Sequence, residues 1–222
     1  MTEDKLKKSS SAHRKYPLAD GTLVVGVTTI LNVMAKPALV PWANKLGLAG
    51  IEVSKYVDKL ADVGTIAHKM IEDDIAGNKT DTGDYSKNIL DLAETCFLKW
   101  LDWKKQHNLI VIFSEKLLVS EKYRFGGTVD IYAEIDGVKT LLDIKTAKGV
   151  YEDMHTQVAG GYGLLLDEAG HKYDKARILR IGRDDAEGFD EKEIFKIDLH
   201  KKRFLACLNL YNVNQQLKNG GF

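Results

Sequence analysis

Asp130, Asp143 and Lys145 are the residues whose types and spacing could do chemistry together. Asp136-Gly137 stands between two runs of alternating, β-forming residues, the signal for a two-residue type I′ turn. Such a turn fixes the register of its strands. Ile135 then faces Val138, and counting back sets Asp130 opposite Asp143 and Thr128 opposite Lys145. Direct cross-strand neighbours hold their Cβ atoms about 4.5–5.5 Å apart, and residues two apart on a strand share a face. Two carboxylates and an ammonium therefore gather on one side, while Val129, Ile131, Ala133, Ile135, Leu142 and Ile144 form a core side. Adjacent carboxylates repel, which raises one pKa unless a cation sits between them. Oxygen donors so placed suit a hard divalent ion such as magnesium or manganese. A lysine beside that ion can orient or help deprotonate an attacking water, or offset charge on a pentavalent phosphate. The same charges also suit a solvated face tied by a salt bridge, and the hairpin alone leaves both readings open.

Several elements must position these residues. Thr28 or Thr29 is expected to cap a short apolar helix, Trp42 to Leu46 to form a second helical piece, and Val53 to Ala76 a helix broken near Gly64 and stopped at Gly77-Asn78. Tyr85 to Gln106 carries Ile89, Leu92, Ala93, Cys96, Trp100 and Trp103 at helical spacing. The period then changes to two. Strands are expected over Leu109–Ser120, Thr128–Ile135, Val138–Thr146, Lys175–Gly182 and Glu193–Asp198. Helices are expected over Glu152–Leu166 and Leu199–Leu217. The sum is one α/β domain over residues 16–222, mostly helical over 16–106, with a sheet core and closing helix over 107–222.

Composition narrows the classes. The 222 residues carry 32 basic and 32 acidic side chains, so a global basic field cannot argue for a polyanionic partner. Only local clusters could: the tail 1–15, expected to be disordered and basic, Lys172 to Arg183, and Lys201-Lys202-Arg203. The two cysteines, Cys96 and Cys207, are far apart, which rules out a disulfide framework and an iron–sulfur cluster built from four cysteines. A cytoplasmic location is expected, with no membrane span. Trp42, Trp100 and Trp103 are expected in the core. Tyr123-Arg124-Phe125, aromatic–basic–aromatic ahead of Asp130, could stack a base and grip a phosphate or could pack as a turn. His13, His107, His155, His171 and His200 show no ligand spacing and are expected at the surface.

Gly127-Thr-Val-Asp130 followed after twelve residues by Asp143-Ile-Lys145-Thr146 resembles the PD-(D/E)XK nuclease superfamily, in particular its RecB-like exonuclease branch. Gly64-Thr-Ile-Ala-His68 resembles the helix that brings a histidine to the metal in that branch. VTTILNVM and Leu39-Val-Pro-Trp42 are similar to the N-terminal helical part of phage-type members and of the mitochondrial genome maintenance exonuclease. Gln157 matches the glutamine of the branch's QxxxY motif, but the tyrosine is one residue late: Gly161 stands where it should be and Tyr162 follows. The resemblance implies a restriction-endonuclease-like mixed central sheet flanked by helices. It implies magnesium or manganese held by Asp130, Asp143, His68 and the Ile144 carbonyl, with Glu115 as a candidate for a second metal. Lys145 would serve the water, Gln157 would hold the lysine or a DNA phosphate, and the role of Tyr162 stays open. The implied activity is DNA hydrolysis, as an exonuclease on single strands or free ends in repair or recombination. A structure-specific endonuclease and a catalytically silent DNA-binding or assembly module are the alternatives.

Overall fold

A computed structural model describes residues 14–83 and 85–219. The tail expected over 1–15 lies outside these residues except for Arg14 and Lys15. In chain order the elements are β1 (Tyr16–Pro17), β2 (Leu23–Val24), α1 (Val27–Leu31), α2 (Leu39–Leu48), α3 (Val53–Ala76) and α4 (Lys87–Lys105). Then follow β3 (Leu109–Ser120), β4 (Phe125–Ile135), β5 (Val138–Lys145), α5 (Glu152–His155), a π-helix (Thr156–Tyr162), α6 (Gly163–Glu168), β6 (Lys175–Ile181), β7 (Phe189–Glu193) and α7 (Ile197–Asn219). The result is the expected mixed α/β architecture with an N-terminal helical region.

Five strands form the central sheet in the order β3-β4-β5-β6-β7. Only β5 and β6 run parallel, because the stretch from α5 to α6 crosses over between them. Helices cover both faces. On one side α1, the π-helix, α6 and α7 bury Val27, Val158, Leu165 and Phe204 against Tyr132, Leu141 and Ile178. On the other, α3 and α4 bury Val63, Met70, Cys96 and Trp100 against Ile131, Leu142, Ile144 and Leu179. A sheet covered on both faces needs apolar residues at nearly every position, and in β6 Ala176, Ile178, Leu179 and Ile181 are all buried. The core side read from the hairpin is therefore half of the core.

The turn is as expected, with Asp136 at φ 53° and Gly137 at φ 81°, both in the left-handed region that type I′ requires. In α4 the buried residues Ala93, Cys96, Trp100 and Trp103 follow the helical stripe. Trp42 departs from expectation: α2 buries none of its residues, and Trp42 lies half-exposed beside Tyr56.

Other boundaries differ for physical reasons. Gly26 caps α1, and Thr28 and Thr29 lie inside the helix. Gly64 does not break α3, because it is where the helix passes β5: a Cβ there would stand 3.1 Å from Thr146 Oγ1. The last strand is Phe189–Glu193, not Glu193–Asp198. Its sequence FDEKE has no apolar alternation because it is an edge strand held by ladder bonds and by the Arg177–Glu191 and Lys175–Glu193 ion pairs.

Candidate metal centre

The hairpin's register holds from Ile135–Val138 down to Ile131–Leu142 and stops one pair short of Asp130–Asp143. From there the strands part: Phe125–Val129 stays on β3, and Asp143–Lys145 stays on β6. The sheet forks, so Asp130 and Asp143 are neighbours across an opening rather than a closed ladder pair. The fork frees the Ile144 N–H, which donates instead to Asp130 Oδ2 at 2.9 Å. Alternation breaks at the same place, since Val129 packs in one core layer and Ile131 in the other.

Glu115 faces Asp130 from β3. Its neighbours pair as Ser114–Ile131 and Lys116–Val129, but Glu115 itself sits at φ 48°. A non-glycine residue in that region costs about 1–3 kcal/mol and clusters at functional sites. From the other side α3 brings His68, whose Nδ1 lies 3.6 Å from Glu115 Oε1 and 3.8 Å from Asp130 Oδ2. One donor atom from each of His68, Glu115 and Asp130 falls within 4.8 Å of the others, a group that could hold a metal ion. They line a cavity of about 10 Å³ together with Ile144, about the room one water-sized particle needs.

Asp143 stands apart from that trio. It is buried, and neither of its oxygens accepts a hydrogen bond among the described residues. Lys145 Nζ lies 2.6 Å from Oδ2 as an ion pair without hydrogen-bond alignment. With Lys145 against Oδ2 alone, this buried carboxylate keeps oxygen lone pairs free for a further ligand. Burial, opposed by Lys145 and reinforced by Asp130, pushes its carboxyl above the usual range. Burial raises Asp130 too, with the His68 charge working against it and Glu115 with it. For His68, burial works to lower the pKa, yet the Asp130 and Glu115 carboxylates outweigh it and lift the imidazole to about 9. Lys145 is likewise held above its ordinary value, Asp143 and Asp130 overcoming its burial. Three carboxylates answered by one imidazole and one ammonium form a cluster short of positive charge.

The tyrosine one residue late is explained by the helix that carries it. Thr156–Tyr162 is π-helical, with i→i+5 bonding, so residues five apart meet as residues four apart do in an α-helix. Gln157 Nε2 donates to Tyr162 Oη at 2.8 Å. Burial first, then the Asp143 and Asp130 charges, keep the Tyr162 phenol well above its usual pKa. Gly127 makes room for this ring, since a Cβ there would meet Tyr162 Cε1 at 2.9 Å.

The aromatic–basic–aromatic triplet at the start of β4 does not present its side chains to one side. Phe125 is fully buried against Phe204, Tyr123 packs on the same core, and Arg124 pairs with Asp20 at 3.3 Å. Of the histidines expected at the surface, His107 packs tilted against Trp103, and its Nδ1 lies 2.6 Å from Asp136 Oδ2. His171 packs between Phe113 and Tyr132. His155 and His200, which lack ligand spacing in sequence, meet Glu152 in a second group that could hold a metal. No sequence signal joins them, because their meeting depends on how two distant helices dock. His13 lies outside the described residues.

No family model and no curated protein matches this chain. Among solved structures it is similar to SSO0001 at 17% identity, covering 84% of this chain and 75% of that one, with a TM-score of 0.40. Two structures of LHK-Exo, an alkaline exonuclease from Laribacter hongkongensis, also match. The one in complex with dAMP shares 14% identity and the other 13%; each covers 73% of this chain and 91% of that one, with a TM-score of 0.35. Likenesses this distant leave function to the site itself. No helix among the described residues is long and apolar enough to cross a membrane.

Proposed function

We propose that this chain is a divalent-metal-dependent nuclease that hydrolyses phosphodiester bonds in DNA. The observation that carries the reading is the forked sheet, which gathers His68, Glu115 and Asp130 around a cavity of about 10 Å³, with the buried Asp143 and its partner Lys145 close enough for their charges to act on Asp130. An oxygen-rich donor set with one imidazole fits magnesium or manganese. Asp130, His68 and Glu115 would hold the ion, with Asp143 and the Ile144 carbonyl as further oxygens. Bound there, it supplies a water of lowered pKa and polarises a phosphoryl oxygen.

This chain's own residues do the rest. The Ile144 N–H fixes Asp130, leaving Oδ1 of that carboxylate to a ligand. Lys145, already against Asp143, orients the attacking water and offsets charge as the phosphorus becomes five-coordinate. Gln157, held by Tyr162, presents a polar group at the edge of the site. Free ends and single strands are the proposed substrates, which makes the enzyme an exonuclease acting in repair or recombination.

The test uses end-labelled linear and circular DNA, single- and double-stranded, with magnesium, manganese or chelator, for the wild type and Asp130→Asn. Cleavage of linear DNA with metal, and none with chelator or the variant, is expected. Cleavage of circles overturns the exonuclease assignment in favour of an endonuclease. Absence of cleavage under every condition overturns the catalytic one in favour of a silent DNA-binding module.

A further inference from the structure

Glu152, His155 and His200 lie outside the centre described above. Glu152 and His155 are three apart on α5 and so share a helix face, while His200 comes from α7. Glycine sets the approach of the two helices. At Gly160 a Cβ would meet the His200 carbonyl oxygen at 2.6 Å and Phe204 Cβ at 2.9 Å, so only a bare backbone lets α7 dock here. The docking brings the His155 and His200 rings to 5.9 Å between centroids, edge to face.

One donor atom from each of the three residues falls within 4.8 Å of the others. In a tetrahedron with bonds of about 2.0–2.1 Å the donors stand about 3.3–3.4 Å apart, inside that limit. His155 Nε2 is buried with no hydrogen-bond partner among the described residues, an orphan that calls for a ligand. The surrounding groups have the arrangement that orients metal ligands. The Thr156 hydroxyl, fully buried, lies 3.2 Å from His200 Nδ1, and Arg203 Nη1 holds Glu152 Oε1 at 2.9 Å while Oε2 lies 3.7 Å from His155 Nδ1, the ring nitrogen other than the orphaned one.

We propose that Glu152, His155 and His200 form a second cation site, for a borderline transition metal of the zinc class, that staples α5 and the π-helix to α7. Two imidazoles and one carboxylate favour zinc, nickel or copper over magnesium. The three protein donors leave a fourth position to water. The staple grips the segment that carries Gln157 and Tyr162, so its occupancy stiffens the helix facing the fork.

Calorimetric titration of the untagged full chain with ZnCl₂, in an Asp130→Asn background that disables the first centre, tests this. One zinc ion is expected to bind and to raise the thermal midpoint. Adding His155→Gln or His200→Gln should weaken binding by roughly tenfold to a hundredfold or more, the range seen even for lesser disturbance of a metal shell. Adding His171→Gln should leave binding unchanged. Glu152→Gln, at an exposed position and so harmless to the fold, should weaken it too. Failure of Asp130→Asn to bind zinc, or affinity that none of the Glu152, His155 and His200 variants changes, overturns the proposal.

Discussion

Gly160→Ala and Gly47→Ala make the same chemical change in two helical segments and should have opposite effects. In a helix interior, alanine is favoured over glycine by up to about 1 kcal/mol. At Gly47 in α2 a new Cβ meets nothing within 4 Å, so that gain stands alone. At Gly160 the Cβ would lie 2.6 Å from the His200 carbonyl oxygen, which is backbone and cannot swing away. The helix α7 must move instead, and overpacking of that kind costs about 1–3 kcal/mol. Setting the full propensity gain against it leaves Gly160→Ala destabilised by up to about 2 kcal/mol. For a chain of this length each kcal/mol moves the thermal midpoint by about 2–4 °C. Urea denaturation of the two variants beside the wild type reads the difference as shifted midpoints. If Gly160→Ala is stabilised as Gly47→Ala is, α7 does not dock on the π-helix through a bare backbone, and the account of that segment fails.

Other consequences can be checked alongside. Removing the Tyr162 hydroxyl (Tyr162→Phe) should cost about 0.5–1.5 kcal/mol through loss of the Gln157 hydrogen bond; in a double-mutant cycle with Gln157→Ala, effects that simply add would contradict it. Gly137→Ala places a side chain at φ 81° and should cost about 1–2 kcal/mol by denaturation although no atom stands in its way; no loss would mean the turn is not type I′. Burial works to raise the Glu187 carboxyl, but the hydrogen bonds from Arg183 outweigh it and hold the pKa below 4.5. A depressed folded-state pKa gives stability that is present above 4.5 and lost as pH falls through the folded value. The stability gap between wild type and Glu187→Gln should therefore narrow below pH 4.5 in acid denaturation, and a gap that widens would refute the sign.

The local features were legible and the tertiary ones were not. Asp136-Gly137 announces its turn because few residues tolerate two successive positive φ values, and the register follows from the turn. Counting along a ladder assumes that the strands stay paired, so it could not show the fork at Asp130, where β4 follows β3 and β5 follows β6. Glu115 reaches the site through a left-handed backbone kink that its own residue type does not signal. The offset of Tyr162 was visible but not readable: a glutamine and a tyrosine five apart around a glycine pair fit a π-turn only once the helix is seen. The edge strand β7 carries no apolar alternation to announce it, because its charges serve cross-strand ion pairs. Phe125 looked like an exposed aromatic beside an arginine, yet one residue decides which side of β4 it faces, and it faces the core.

The assignment of the fork as a catalytic centre is tested most directly by Lys145→Ala, because its ammonium is proposed to serve the attacking water while the ion is held by other side chains. Manganese binding by electron paramagnetic resonance and single-turnover cleavage of end-labelled linear DNA are measured on the same preparation. The account predicts manganese binding close to that of the wild type, with cleavage slowed by about 10²–10⁴-fold. Cleavage at the wild-type rate by Lys145→Ala, with the metal bound, would contradict it.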